Sequence, residues 1–123
     1  MNSACLIVSV AVALLHFYFL VLEMFLWQKP LGMKTFRTDP AFAARSAALA
    51  ANQGLYNGFL AVGLLFALVY PEPHGSAVFT RLFLVFVIVA GIYGAATANK
   101  RILWIQALPA VIALALNLAS TTV

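Results

Sequence analysis

Two ionisable side chains, His16 and Glu23, lie within the first long apolar stretch of this 123-residue chain. An ionisable residue inside a membrane-spanning helix is a functional candidate, because hydrocarbon offers it no hydrogen bonds. Glu23 has the chemistry of a general acid or base, or of a proton- or cation-binding group, and His16 that of its proton-transfer partner. Seven residues of helix separate them by about 10 Å, so a proton relay would need a bridging water or ligand. Both are therefore candidate catalytic residues.

Structural roles are the alternative for both residues. Glu23 would then extend toward the membrane surface or accept hydrogen bonds from Asn52 or Gln53. His16 would then be a neutral side chain bonded to a neighbouring helix. The other histidine, His74, lies in a linker, and neither histidine has a third ligand at metal-site spacing. The sequence thus predicts no metal site and no cofactor.

A second polar cluster is the run Asn52-Gln53-Gly54-Leu55-Tyr56-Asn57-Gly58. Its four polar side chains span an arc of about 140° on a helix, and four exceed what interhelical hydrogen bonding usually needs. We therefore expect them to line a ligand pocket, with interhelical bonding as the alternative. Two polar residues of later helices are expected at the same depth. The predicted ligand-binding residues are Glu23, His16, Asn52, Gln53, Tyr56, Asn57, Tyr93 and Gln106.

The elements that position these residues follow from the distribution of charge. Hydrophobic residues make up 65% of the chain and charged residues 8%. Four charge-free stretches each have the roughly 18 or more residues of a membrane-spanning helix. They predict an all-α integral membrane protein, a bundle of four transmembrane helices in a single domain over residues 1–123. The predicted helices are 4–27, 47–70, 79–98 and 102–118, with a cytoplasmic linker over 28–46.

The cations predict the orientation of the helices. The linker 28–46 holds four cations against Asp39, and the turn Asn99-Lys100-Arg101 holds two more. The linker 71–78 has Glu72 as its formal charge. Positively charged linkers stay in the cytoplasm, so both termini are expected on the non-cytoplasmic side. The same rule explains the net charge of +4, and no nucleic-acid partner is predicted.

Small residues and a proline bear on packing. Gly54-xxx-Gly58 and the pair Gly91 and Gly94 predict close approach of helices, within one bundle or across a homodimer. Pro109 has no amide hydrogen and leaves the carbonyl of Ile105 without its helical partner. A kink in the last helix, or a tolerated proline, is expected.

Four segments covering nearly the whole chain resemble the domain-of-unknown-function 1304 family of small bacterial membrane proteins. The segments are His16-Phe-Tyr-Phe-Leu-Val-Leu-Glu23-Met-Phe-Leu-Trp27, Ala51-Asn-Gln-Gly-Leu-Tyr-Asn-Gly58, Val89-Ala-Gly-Ile-Tyr-Gly-Ala-Ala-Thr97 and Gln106-Ala-Leu-Pro109. The resemblance implies a four-helix, multi-pass protein of the bacterial inner (plasma) membrane. It implies no catalytic residues.

Three functions are compatible with these patterns. The first is binding of a small or lipid-like ligand in a polar pocket in the cytoplasmic half of the membrane, with or without proton-transfer chemistry. The second is proton-coupled transport by a homodimer, because one four-helix bundle barely encloses a pathway. The third is a structural or regulatory membrane subunit. The expected partners are the lipid bilayer, such a ligand and a second copy of the chain.

Overall fold

Helices account for nearly all of the chain in the computed structural model, which describes residues 1–120. The helices are α1 (Ser3–Met24), α2 (Pro30–Phe36), α3 (Pro40–Val69), α4 (Pro73–Thr97) and α5 (Leu108–Ser120), with a π-helical segment, Leu103–Ala107, leading directly into α5. No strand occurs among residues 1–120. The all-α class predicted from the sequence is confirmed. The last three residues of the predicted 1–123 domain lie outside the described residues.

Four stretches of the described residues are long and apolar enough to cross a membrane: Ser3–Met24, Pro40–Val69, Pro73–Thr97 and Leu103–Ser120. They match the four predicted transmembrane helices in number and order, but their ends differ. The second begins at Pro40 instead of 47, and the third at Pro73 instead of 79. The predicted linker 28–46 therefore contains α2 and the first turns of α3.

Capping residues explain the earlier starts. Asp39 Oδ1 accepts a hydrogen bond from the Phe42 N–H at 2.8 Å, and Pro40 occupies the first position of α3. Glu72 accepts from the N–H groups of His74 at 2.7 Å and Gly75 at 2.6 Å, and Pro73 begins α4. Proline is tolerated at the first helical position because a backbone N–H there would have no partner within the helix, so its absence costs nothing. Helices thus begin at these capping residues, several residues before the apolar stretches do.

The carboxylate of Glu72 is the clearest electrostatic feature outside the spans. The two backbone N–H groups, His74 first, hold its pKa below the usual value of 4.5, because they bond its ionised form. The cap therefore anchors the start of α4 most firmly when Glu72 is charged.

The contacts of the chain form two compact units. The 14–61 unit comprises Leu14–Ala61, and the terminal unit comprises Met1–Ala13 with the chain from Val62 onward. The single domain expected from the sequence remains a prediction. Each unit is described by itself below.

Glycines set the helix packing of the 14–61 unit. A Cβ at Gly54 would lie 2.8 Å from Met24 Cγ and 3.2 Å from the Leu20 carbonyl oxygen, and one at Gly58 would lie 2.5 Å from Leu20 Cδ1. A Cβ at Gly32 would lie 1.9 Å from the Leu26 carbonyl oxygen. Only glycine therefore allows α2 to approach the Leu26 backbone this closely. The predicted role of Gly54 and Gly58 in close helix approach is confirmed.

The terminal unit contains α4 packed against the π-helical segment and α5. A Cβ at Gly91 would lie 2.8 Å from Ala107 Cβ and 2.9 Å from the Ala107 nitrogen, which confirms close approach at this glycine too. The Leu108 N–H bonds back to the Leu103 carbonyl, five residues earlier, just before Pro109. Because Pro109 cannot donate to Ile105, the backbone adopts the wider π-helical turn at this point.

Candidate functional site

Glu23 and Asn57 form a buried hydrogen-bonded pair in the 14–61 unit. The side-chain amide of Asn57 donates from Nδ2 to Glu23 Oε1 over 2.6 Å. The Glu23 side chain is 3% exposed, and Asn57 is also buried. Glu23 lies in the last turn of α1, and Asn57 lies near the middle of α3. The pair thus joins two candidate membrane-spanning helices through one polar contact.

The glycines of α3 bring the two helices close enough for this bond. Gly54, one turn before Asn57, lies beside α1, where an added Cβ would stand 3.0 Å from Glu23 Cβ. Gly58 follows Asn57 directly and lies against Leu20. With both side chains reduced to hydrogen, the short Asn57 side chain reaches the carboxylate.

His16 lies two turns before Glu23 on α1 and is 1% exposed. Its ring packs edge-on against Phe19, with ring centroids 5.7 Å apart. Seven residues of helix separate His16 from Glu23 by about 10 Å.

The polar arc predicted on α3 is divided in the structure. Asn57 is buried against α1, whereas Asn52, Gln53 and Tyr56 are exposed. The physical reason is rotational: the face of α3 that meets α1 is centred on Gly54 and Gly58, and at about 100° per residue Asn52 and Tyr56 lie on the far side. The structure therefore brings Glu23 together with Asn57 alone among these four α3 residues.

The two remaining predicted residues belong to the terminal unit. Tyr93 on α4 is exposed, and its backbone carbonyl accepts a hydrogen bond from the Thr97 hydroxyl at 2.7 Å. Gln106 lies in the π-helical segment and is half-buried.

A cavity of about 200 Å³ lies in the terminal unit between α4 and the last helix. None of the predicted ligand-binding residues lines it. The lining residues are all apolar: Ile88, Ile92, Leu103, Trp104, Ala107, Leu108 and Val111. Such a surface suits an acyl chain or another hydrocarbon group, because it offers no polar side chain to orient a polar ligand.

A second polar contact between helices, in the terminal unit, was not predicted from the sequence. Arg81 Nε donates to Asn117 Oδ1 over 2.6 Å, and Asn117 Nδ2 donates to the Ala77 carbonyl at 3.5 Å. The buried hydroxyl of Thr80, beside Arg81 in sequence, has no hydrogen-bond partner among the described residues. Sequence carried a usable signal here: Arg81 is a charge inside an apolar helix, which calls for a polar partner.

Comparisons with known proteins identify a family and a bacterial relative. Residues 10–118 match the model of the family described as Protein of unknown function (DUF1304). The chain is 34% identical to the uncharacterized protein YpaA of Lactococcus lactis subsp. lactis (strain IL1403), over 93% of this chain and 96% of that protein. No solved structure is significantly similar to the chain.

Proposed function

The chain belongs to the DUF1304 family, and we propose that it is an integral membrane protein that binds a small or lipid-like ligand at the Glu23–Asn57 pair. The observation that carries the proposal is the 2.6 Å bond between these two buried side chains, both within apolar helices. Burying a carboxyl group in an apolar helix is costly, so its presence there favours a functional role over a purely structural one.

The chemistry of the pair defines the ligand class. Glu23 Oε1 acts as an acceptor in this pair, whereas an amide offers both a donor and an acceptor. The side chains near the pair on α1, Leu20 and Met24, are apolar. The ligand we propose therefore has a donor group, such as an amine, hydroxyl or amide, on an apolar body. Its donor takes the place of the Asn57 amide on Glu23.

Proton-transfer chemistry is a narrower form of the same function. Glu23 would act as the acid or base and His16 as its partner, with the ligand or a water bridging the roughly 10 Å of helix between them. The proposed site lies in the cytoplasmic half of the membrane, the side expected for Glu23 from the positively charged linkers.

Native mass spectrometry of the protein extracted gently from its own membrane tests ligand binding. We expect a discrete bound mass in the wild type that is lost in Glu23→Gln and in Asn57→Leu. Asn117→Leu is the matched control, because it removes a buried amide from the terminal unit and should keep the bound mass. Absence of a bound mass from all four proteins, with an unchanged oligomer, would overturn the proposal and favour a structural or regulatory role.

Proton-coupled transport by a homodimer is the second candidate. It is favoured by the positions of the acids: Asp39 and Glu72 bond backbone N–H groups at helix starts, which leaves Glu23 as the carboxyl within an apolar span. Proteoliposomes carrying a pH-sensitive dye test it. Transport predicts proton movement that is abolished by Glu23→Gln and retained in Asn117→Leu; equal dye responses in wild type and Glu23→Gln exclude it.

We also propose an inner-membrane location with both termini outside the cytoplasm. The support is the excess of cations in the 28–46 segment and the Lys100-Arg101 turn. Alkaline phosphatase, which folds only outside the cytoplasm, should be active when fused after the last residue and inactive when fused after Thr38. The opposite pattern would reverse the orientation.

A further inference from the structure

We propose that the segment Lys29–Arg45 is a binding surface for anionic phospholipid headgroups. We call it the cationic surface; it comprises α2, the turn after it and the first turns of α3, all within the 14–61 unit. The inference goes beyond the proposed ligand function and does not depend on the Glu23–Asn57 pair.

The first argument is charge. The surface contains four cationic side chains, all exposed: Lys29, Lys34, Arg37 and Arg45. None of them forms a side-chain hydrogen bond or ion pair within the described part of the chain. The acid of the segment, Asp39, already accepts the Phe42 N–H as the cap of α3. The surface therefore presents four unpaired cations to whatever lies beside it.

The second argument is the order of the backbone that carries these charges. Gly32 lets α2 pack against the Leu26 carbonyl, and the Trp27 ring lies 4.9 Å from the Phe36 ring. The indole N–H of Trp27 also donates to Ser46 Oγ at 3.0 Å. Arg37 has a left-handed conformation, φ 56°, that ends α2 and turns the chain into α3. The cations thus extend from a folded element, so less ordering is needed when they bind.

The third argument is depth. At 1.5 Å per residue, the 30 residues of α3 extend about 45 Å, against roughly 30 Å of hydrocarbon. With Val69 at one boundary of the hydrocarbon, about ten residues at the other end lie beyond it, which includes Arg45. Trp27 and Ser46 are at the depth where interfacial tryptophans are typical. The cationic surface therefore lies at the level of the lipid phosphates.

The exposed apolar side chains favour lipid over a soluble acidic partner. Leu31 is 47% exposed and Phe42 is 44% exposed, and both belong to the cationic surface. Cations combined with exposed apolar side chains are typical of segments that lie on anionic membranes, where the apolar groups enter the headgroup region. A soluble acidic protein would leave these apolar groups in water or require a matching apolar patch.

The test measures lipid selectivity of the purified full-length chain in detergent. Phosphatidylglycerol and phosphatidylcholine with the same acyl chains are titrated, and the bound lipids are counted by native mass spectrometry. Each headgroup-level cation contributes roughly five-fold in affinity. We therefore expect the wild type to prefer phosphatidylglycerol, and Lys34→Gln with Arg37→Gln to weaken that preference by about ten-fold or more.

The matched control is Lys100→Gln with Arg101→Gln, which removes the same charge from a turn of the terminal unit. It should keep the preference within about two-fold, because those cations lie outside the cationic surface. Glu23→Gln should keep it too, so failure of the proposed ligand site leaves this result unaffected. Circular dichroism of each variant checks that the helices persist.

Salt dependence provides an independent readout. Raising the ionic strength from about 0.1 M to about 1 M shortens the screening length from roughly 10 Å to 3 Å and should reduce the wild-type preference far more than that of the Lys34/Arg37 variant. The proposal is overturned if the wild type shows no headgroup preference or if both double variants lose it equally. The absence of any headgroup preference in the wild type would point to a soluble acidic partner instead.

Discussion

The side-chain amide of Asn57 donates a 2.6 Å hydrogen bond to the carboxylate of Glu23, and this bond links α1 to α3 where both side chains are buried. Because few polar groups are available around it, each residue depends on the other for its hydrogen bonding. The pair is therefore both a structural link and the centre of the proposed ligand site.

Removing one residue of the Glu23–Asn57 pair should destabilise the protein more than removing both. Asn57→Leu leaves the buried Glu23 side chain without its amide donor and should lower the free energy of unfolding by about 1–3 kcal/mol. Glu23→Leu combined with Asn57→Leu should recover at least half of that loss, because neither polar group then remains buried. Equilibrium unfolding in mixed micelles of dodecyl maltoside and dodecyl sulfate measures both values.

The control for this pair is Asn52→Leu, which changes an exposed amide on the same helix and should alter unfolding by less than about 0.5 kcal/mol. Equal losses for Asn52→Leu and Asn57→Leu would show that the Glu23 bond contributes nothing particular to stability.

The glycines should differ in their tolerance of a methyl group. Gly91→Ala places its Cβ within 2.9 Å of the Ala107 backbone nitrogen, which cannot move alone, so we expect a loss of about 1–3 kcal/mol. Gly58→Ala meets only the end of the flexible Leu20 side chain and should change stability by less than about 1 kcal/mol. The same unfolding assay compares them.

Adding Ala107→Gly to Gly91→Ala removes the 2.8 Å contact between the two Cβ atoms but leaves the contact with the backbone nitrogen. We expect partial recovery of stability. Full tolerance of Gly91→Ala by itself would contradict the close approach of α4 to the π-helical segment.

The Glu72 cap should make stability depend on pH in one direction. Its pKa in the folded protein is lowered from the usual 4.5, so its contribution is complete above that value and is lost as the pH falls through the folded pKa. Glu72→Ala should therefore lower the thermal midpoint at about pH 7, and its difference from the wild type should shrink steadily as the pH is lowered below 4.5. Comparing the two proteins at each pH isolates Glu72, because the other carboxyl groups titrate in both. An undiminished difference at the lower pH would contradict this role.

The Arg81–Asn117 contact should stabilise the terminal unit. A hydrogen bond to a charged group contributes about 1.5–3 kcal/mol, so Asn117→Leu should lower the unfolding free energy by about that amount. Asn117→Asp should retain most of the stability, because its carboxylate still accepts from Arg81 Nε. Equal destabilisation by leucine and aspartate would instead indicate that the donated bond to the Ala77 carbonyl is the important one.

The sequence predicts which stretches form apolar helices better than it predicts where those helices begin. Long charge-free stretches determine which parts of the chain are apolar helices, because 18 or more such residues have few other stable environments. The starts of α3 and α4 depend instead on Asp39 and Glu72, whose caps extend the helices into charged segments. Because these segments carry charges, the charge pattern assigns them to linkers. The predicted starts of both helices are therefore later than the observed ones.

At the site, residue types could be predicted from the sequence, whereas the contacts between helices could not. Sequence by itself determined that Glu23, His16 and the 52–58 run are polar groups within apolar helices, because residue type and spacing are read directly. Which α3 residue meets Glu23 depends on the rotation of α3 against α1, and that rotation is set by Gly54 and Gly58 packing on Leu20 and Met24. Only the tertiary structure therefore selected Asn57 and left Asn52, Gln53 and Tyr56 exposed, and only it paired Arg81 with Asn117 across 36 residues. Contacts between helices depend on three-dimensional packing, which the periodicity of a single helix does not contain.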